Sequence, residues 1–515
     1  PPSPAGTTYA RCRISSQGTG SPYGWAPDGE VEDHMVEIAP APIIYVDASA
    51  TTGSNNGSSW DDAYTNLQSA LSIAAPGQEI WVAAGTYKPT APGGDRTISF
   101  QLKSGVELYG GFPAGGGIWE DRNHASYETV LSGDLNGDDD ADGISDNSYT
   151  VVNSSGTDPN TILDGFTISN GNANDSGAGN EDPEKNGGGV YNVSGSPMIR
   201  NCTIKDNNAH YRGGGMYNYD DSHPVIDNCV FQSNSATNGY GGGIYNGYNG
   251  SSVTLINSRF INNSAVQNGA LVNGSDSVSQ VINCVFSGNS ASDKTGAISN
   301  SSSVSTFVNC SIVGNSAANI AGGIRNRFSD VSFYNCIIWG NTAPLEPQIL
   351  TESGDVVFAN CDISDCNGSG INWDTSLGSD GEGNIDADPL FVDADGDDDL
   401  PGTDDDNLRM LFNSPCTDAG DNTVVTESDD LDGRDRIVDG DCSGTATVDM
   451  GAYEFSGHFI GDYVIDCTID NLDLAALADA WLTDNTLIDI APPGGDGITN
   501  FRELAVIAQY WLTTW

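Results

Sequence analysis

The chain has 515 residues and sets 18 Lys and Arg against 71 Asp and Glu, a formal charge of −53. A surface this acidic repels nucleic acid and anionic membranes and attracts cations, with Ca²⁺ the expected cofactor because its ligands are clustered oxygens. No apolar run is long enough to span a bilayer, and the eleven cysteines cannot all pair and fall in no Cys-x-x-Cys spacing of a zinc or redox site.

Residues 1–40 begin PPSPAGTTYARCR, which lacks the form of a signal peptide, so any such segment is expected to have been removed or to lie outside this chain. RCRIS and DGEVEDHMVEI (28–38) read as strands, in a stretch too short to bury a sandwich core alone. Residues 41–160 read as the start of a solenoid. IIYV is a strand, followed by an amphipathic helix with Leu67, Ala70, Leu71 and Ile73 on its apolar side and an acidic start at Asp61 and Asp62. Such a helix suits the covering of an open solenoid end. EIWVAAGTY, ISFQLKSGVELYGGF and ILDGFTISNGNAN then supply the first coils.

Residues 161–370 repeat. One asparagine series runs Asn192, Asn218, Asn246, Asn273, Asn300 and Asn326; a second runs Asn201, Asn228, Asn257, Asn283, Asn309, Asn335 and Asn360; a third follows the second by six residues from Asn207 to Asn341. All share a period near 26. Between the second and third series an alternating pair recurs, Cys202/Ile204, Cys229/Phe231, Ser258/Phe260 and onward to Cys361/Ile363, which marks a short strand with one face inward. The period is too short for a propeller blade, and Gly, Asn and β-branched residues exclude helix pairs. The expected fold is therefore all-β, a parallel β-helix of roughly a dozen coils, each with about three short strands. Glycines serve its corners, asparagines its turns and inter-coil ladders. The cysteine stack reads as free buried thiols, since Ser258 occupies the same position.

YVDA, WDDAY, LQSAL and IWVAAGTYKP near the start, with DPLFVDADGDDDLPG and VDMGAYEF within 388–455, resemble secreted bacterial right-handed β-helix proteins carrying a choice-of-anchor Q region. FQSN, FINN and FSGN resemble polymorphic outer-membrane-protein repeats, and DGEVED resembles the last strands of a GEVED domain. The resemblance supplies the right-handed sense, makes residues 371–456 an acidic closing region of the solenoid, and implies a secreted, cell-surface location.

In residues 457–515, GDYVIDCTIDNLDLAALADAWL and PPGGDGITNFRELAVIAQYWL align at an offset of 30, each an acidic loop before an amphipathic helix. They resemble a dockerin or related paired EF-hand, a small α-helical module. Asp462, Asp466, Asp470 and Asp473 take calcium-loop positions in the first, with Val464 and Cys467 departing from the pattern; the second offers Asp496, Asn500 and Glu503, with Asp489 as a substitute upstream of Pro492. Two further loops present alternate oxygen ligands: Asp134, Asn136, Asp138 and Asp140, and Asp393, Asp395 and Asp397.

These features point to a calcium-stabilised structural or adhesive rod that assembles with itself or other extracellular proteins through its terminal modules, with Tyr191, Tyr217 and Tyr245 as a ladder for glycans. The competing class is a polysaccharide lyase or glycosidase acting along the coils, with Asp206, Arg212, Asp220 and Asp221 as catalytic candidates near His210 and His223, and Arg325 and Arg327 further along. No motif fixes the geometry of that set.

Overall fold

The structure, a computed structural model, describes residues 42–139, 143–411 and 413–455, the backbone of strands Gly6–Ile14 and Glu30–Ile38, and two isolated positions, Ala475 and Ala478. Gly6–Ile14 and Glu30–Ile38 pair antiparallel, from Gly6 opposite Ile38 to Ile14 opposite Glu30. The proposed calcium-loop residues Asp462, Asp466, Asp470, Asp473, Asp489, Asp496, Asn500 and Glu503 lie outside the described residues, as does Asp140.

From Ile44 the chain winds as a parallel β-helix of about ten turns. Its first sheet has twelve strands, Ile44–Val46 to Ser379–Asp380; the second has ten, Gly85–Tyr87 to Asp362–Ile363; the third has nine, Phe100–Gln101 to Ile349–Ser353. The middle coils add a fourth sheet, from Asn172–Ala173 to Ser316–Ala317, one more strand per coil than the period suggests. A representative coil visits the first sheet at Val225–Asp227, the second at Val230–Gln232, the fourth at Ser235–Tyr240 and the third at Ile244–Gly247.

The three asparagine series do different work. Asn201, Asn228, Asn257, Asn283, Asn309, Asn335 and Asn360 all turn the corner between the first and second sheets with φ between 49° and 53°, a left-handed conformation that asparagine tolerates. The other two series are buried and link coil to coil: Asn234 Nδ2 donates to Asn263 Oδ1 at 3.0 Å and Asn218 Nδ2 to Asn246 Oδ1 at 2.7 Å, with the same bond repeated along each stack. Gln348 ends one ladder and Thr351 the other. Glycine serves close approach: a Cβ on Gly242 would sit 2.3 Å from the Ser264 carbonyl oxygen.

From Phe231 to Phe358 the interior is packed one phenylalanine per coil, whereas the two preceding coils place Leu163 with Ile168 and Ile199 with Ile204. Phe231, Phe260 and Phe286 stack from the second sheet at centroid separations of 4.9 and 4.7 Å, opposite Ile226, Leu255 and Val281; then the arrangement reverses, with Phe307, Phe333 and Phe358 stacked from the first sheet opposite Ile312, Ile338 and Ile363. Keeping one large and one medium side chain per layer conserves the volume of the bore. Cys202, Cys229, Cys284, Cys310, Cys336 and Cys361 are buried free thiols. Cys229 Sγ donates to the Asp227 carbonyl at 3.3 Å, and Ser258 Oγ makes the equivalent bond to Ile256 at 2.8 Å, which is why serine substitutes there.

At the N-terminal end, helix Leu67–Ile73 begins at Asn66, whose side chain accepts from the Gln68 amide. Asp61 and Asp62 lie before it, and Asp62 accepts instead from the Ser54 amide at 2.6 Å. Leu67, Ala70 and Leu71 are buried, whereas Ile73 is 54% exposed: it falls off the i, i+3, i+4 stripe of this two-turn helix.

Residues 388–455 run back along the flank of the solenoid. Leu408, Ala452 and Tyr453 pack on Val285 and Val313, and Met410, Cys416 and Met450 on Ile337, covering the outer face of the second sheet. Corner asparagines hold this segment: Asn283 donates to the Asp429 carbonyl, Asn309 to Asp449, Asn335 to Asp421 and Asn360 to Ala419. Arg436 is buried with its Nη1 3.6 Å from Glu454 Oε2, and its Nη2 donates to the Gly451 carbonyl. Burial pushes Glu454 up to about 9, with the Asp449 carboxylate adding to the shift, and Asp449 up to about 7, with Asp418 adding to it.

Two predictions follow from this packing. Phe260→Ala is expected to cost about 3–5 kcal/mol, measured by denaturant unfolding, whereas Leu255→Phe combined with Phe260→Leu recovers most of it by conserving the layer volume. Because unfolding returns Glu454 and Asp449 to ordinary carboxylate values, the folded state binds more protons between about pH 4 and pH 9, and stability falls as pH rises through that window. The melting temperature should therefore be higher at pH 5 than at pH 9, with a shallower slope in Glu454→Gln.

Candidate functional site

The strict register of the third sheet determines its outer surface. One outward column reads Tyr191, Tyr217, Tyr245, Val272, Ser299, Arg325 over six successive strands. A neighbouring column passes from Tyr219 and Gly247 to Ser301 and Arg327. Both columns fall from tyrosine to small residues and rise again to arginine, so the stack contains a notch. Its volume is about 310 Å³, and Tyr211, Arg212, Tyr240, Tyr245 and Tyr248 line it together with Asn268, Ser299, Ser301, Arg325 and Arg327.

The tyrosine ladder divides in two. Tyr191, Tyr217 and Tyr245 stack at 5.6 and 5.8 Å, but Tyr217 is fully buried beneath loop 174–186. Glu181 of that loop accepts from Tyr217 Oη, its carbonyl accepts from Tyr191 Oη at 2.5 Å, and its carboxylate lies 3.2 Å from Arg212 Nη1. Tyr191 and Tyr217 are therefore hydrogen-bonded to the loop, and Tyr245 alone of the three lines the notch. Tyr211, Tyr240 and Tyr248 complete that wall; the sequence period gave no cue to them because they sit outside the regular third-sheet positions.

Arg212 is 7% exposed and lies 4.5 Å from the Tyr211 ring centroid and 5.1 Å from that of Tyr245. Burial opposes its charge, but Tyr245, Tyr217 and Glu181 together hold its pKa above that of a free guanidinium. Burial raises the Tyr217 phenol well above its ordinary range, and Glu181 raises it further; burial likewise raises Tyr245. At the far end, Arg325 Nη2 donates to Glu352 at 2.9 Å and Arg327 Nε lies 3.7 Å from the same carboxylate.

The remaining catalytic candidates occupy other corners of the coil. Asp206 is an exposed left-handed residue before the fourth sheet, and Asp220 and Asp221 are left-handed turn residues after the third. Asp220 accepts from Asn249 at 3.0 Å; Asp221 lies 3.0 Å from His223 Nε2, whose Nδ1 meets Ser252 Oγ at 2.7 Å. His210 Nδ1 is 3.3 Å from the Asn238 amide. Arg212 is thus joined by Arg325 and Arg327, and by none of the three aspartates.

The acidic loops also separate. Carboxylate oxygens of Asp134, Asp138 and Asp139 converge within 4.8 Å, while Asn136 accepts from the Gly93 amide at 2.8 Å and holds that loop. Among the described residues, Asp393, Asp395 and Asp397 form no such group; the Asp397 amide donates to Asp405, which with Asp406 organises the turn. A triad that the sequence pattern did not suggest, Asp418, Asp439 and Asp441, also converges within 4.8 Å. Asp139, Asp418 and Asp439 each keep one buried oxygen without a hydrogen-bond partner, and these two groups are the residues that could hold a cation among those described.

A family model described as a right-handed β-helix region matches residues 246–384. The regular coils are a right-handed solenoid. No curated protein matches the chain. Among solved structures, the pectate lyase Pel9A is similar over 80% of this chain and 96% of its own, at 16% identity and a TM-score of 0.41. A rhamnogalacturonan lyase is similar over 69% and 91%, at 9% identity and a TM-score of 0.26. Neither likeness bears on the chemistry of the notch.

Removing the latch between loop and ladder should be visible directly. Glu181→Ala is expected to expose residues 174–186 to protease while leaving the remaining coils resistant, measured by limited proteolysis with mass analysis of the fragments.

Proposed function

We propose that this protein is a secreted, noncatalytic rod that holds a glycan in the notch of its third sheet, an adhesive role within a cell-surface assembly. The observation supporting it is the composition of the notch: aromatic walls, serine hydroxyls and guanidinium groups around a depression in a rigid, repeated surface. Aromatic faces pack on the apolar faces of sugars while precisely placed polar groups meet their hydroxyls. Ca²⁺ at Asp134, Asp138 and Asp139 and at Asp418, Asp439 and Asp441 fits the same reading, tying loops to a strongly acidic body. Self-association, or contact with other extracellular proteins, through residues 1–40 and 457–515 completes the proposal.

The alternative is a polysaccharide lyase or glycosidase. An elimination needs a proton acceptor beside the sugar carbon that is deprotonated. Arg212 is held charged and Tyr245 is held neutral, so these two notch-lining groups favour holding a ligand over transforming it. Tyr248 is 41% exposed at the rim, and its removal tests the reading. Tyr248→Ala is expected to weaken glycan affinity about tenfold with an unchanged melting temperature, measured by calorimetry after screening an oligosaccharide panel. Release of unsaturated or shortened sugars by the wild-type chain would overturn the noncatalytic role. Calcium chelation is expected to lower the melting temperature.

A further inference from the structure

We infer that the notch takes a carboxylate-bearing oligosaccharide, laid along the solenoid axis between Arg212 and the Arg325–Arg327 pair; this rests on the glycan reading above and names the ligand class. Three of the chain's 18 basic residues line this one opening in a molecule of charge −53. Arg212 is 7% exposed and Asn268 is 6% exposed. The Nε of Arg212, the Nε of Arg325 and Oδ1 of Asn268 are all buried without a hydrogen-bond partner. Buried polar groups normally find partners, and an unmet donor is costly. Here the three residues that carry these groups all line a single notch, which marks it as a ligand site.

The guanidinium geometry selects the anion. Glu181 engages Arg212 through Nη1, and Glu352 engages Arg325 through Nη2. Each planar fork therefore leaves its Nε–H unmet, a donor suited to a second carboxylate oxygen. Tyr245 and Arg325 are three rungs apart along the third sheet, about 14 Å at the usual strand spacing. One monosaccharide does not reach both ends, so the ligand is an oligomer with repeated carboxylates. Ser299 and Ser301 form the floor between, and the Asn268 carbonyl oxygen accepts from a sugar hydroxyl.

Isothermal titration of the full chain with a short oligouronide, with the same oligomer reduced at its carboxylates to alcohols, and with a poly-glutamate peptide tests this. The oligouronide is expected to bind at least tenfold more tightly than the reduced oligomer and the peptide. Arg327→Gln, whose parent side chain is 52% exposed, should diminish that preference, and Arg325→Gln with Arg327→Gln should remove it, with circular dichroism and melting temperature as the control for folding. Equal affinity for the acidic and reduced oligomers would overturn the carboxylate assignment while leaving the glycan reading standing. Binding of the peptide as tightly as the oligouronide would overturn the sugar ligand. Binding of none of the three probes overturns the carboxylate assignment, and failure across the neutral panel as well overturns the glycan reading itself.

Discussion

The buried asparagine ladders are the constraint on which the rest of the molecule depends. A coil of some 26 residues with strands three or four residues long has few backbone hydrogen bonds to fix its register. The side-chain amides add that information, because each amide carries both a donor and an acceptor: Asn218 donates to Asn246 of the next coil and accepts from Asn192 of the one before. Slipping one coil by a residue would bury Asn263 or Asn246 opposite an apolar side chain and leave its polar atoms unmet. The ladders therefore hold each coil over the last, and phenylalanine stacking, thiol packing and the outward columns inherit that alignment.

Exact stacking converts sequence differences between coils into surface relief. The third sheet is the clearest case: its inward asparagine is unchanged from Asn192 to Asn326, while its outward neighbours change from tyrosine through valine and serine to arginine. The register alone makes the depression, and Tyr211, Tyr248 and Asn268 from the connections between strands add to its wall. Loop 174–186 then covers the tyrosine end through Glu181, which places Tyr191 and Tyr217 under protein and leaves Tyr245 to face the opening. The same flank-covering logic operates on the second sheet, where residues 388–455 shield Val285, Val313 and Ile337. Here one buried guanidinium among several carboxylates makes the attachment sensitive to proton concentration, since a single positive charge does not balance them all.

The sequence by itself determined the winding. Its period, the three asparagine series and the alternation of Cys with Ile or Phe each name a local requirement, a left-handed corner, an amide ladder or an inward strand face, and local requirements are legible because they recur. The cysteine stack was legible for the same reason, through Ser258 in an equivalent position. Tertiary structure decided what no repeat encodes. Arg212 meets Arg325 and Arg327 because coil stacking brings residues more than a hundred positions apart to one notch, whereas Asp206, Asp220 and Asp221, close to Arg212 in sequence, turn to different corners of the coil. Asp418 joins Asp439 and Asp441 through the folding back of an irregular segment, and Asn136 leaves its neighbouring aspartates to bind Gly93. Periodicity reports which face a side chain takes; which side chains then meet depends on stacking across coils and on the path of the loops between them.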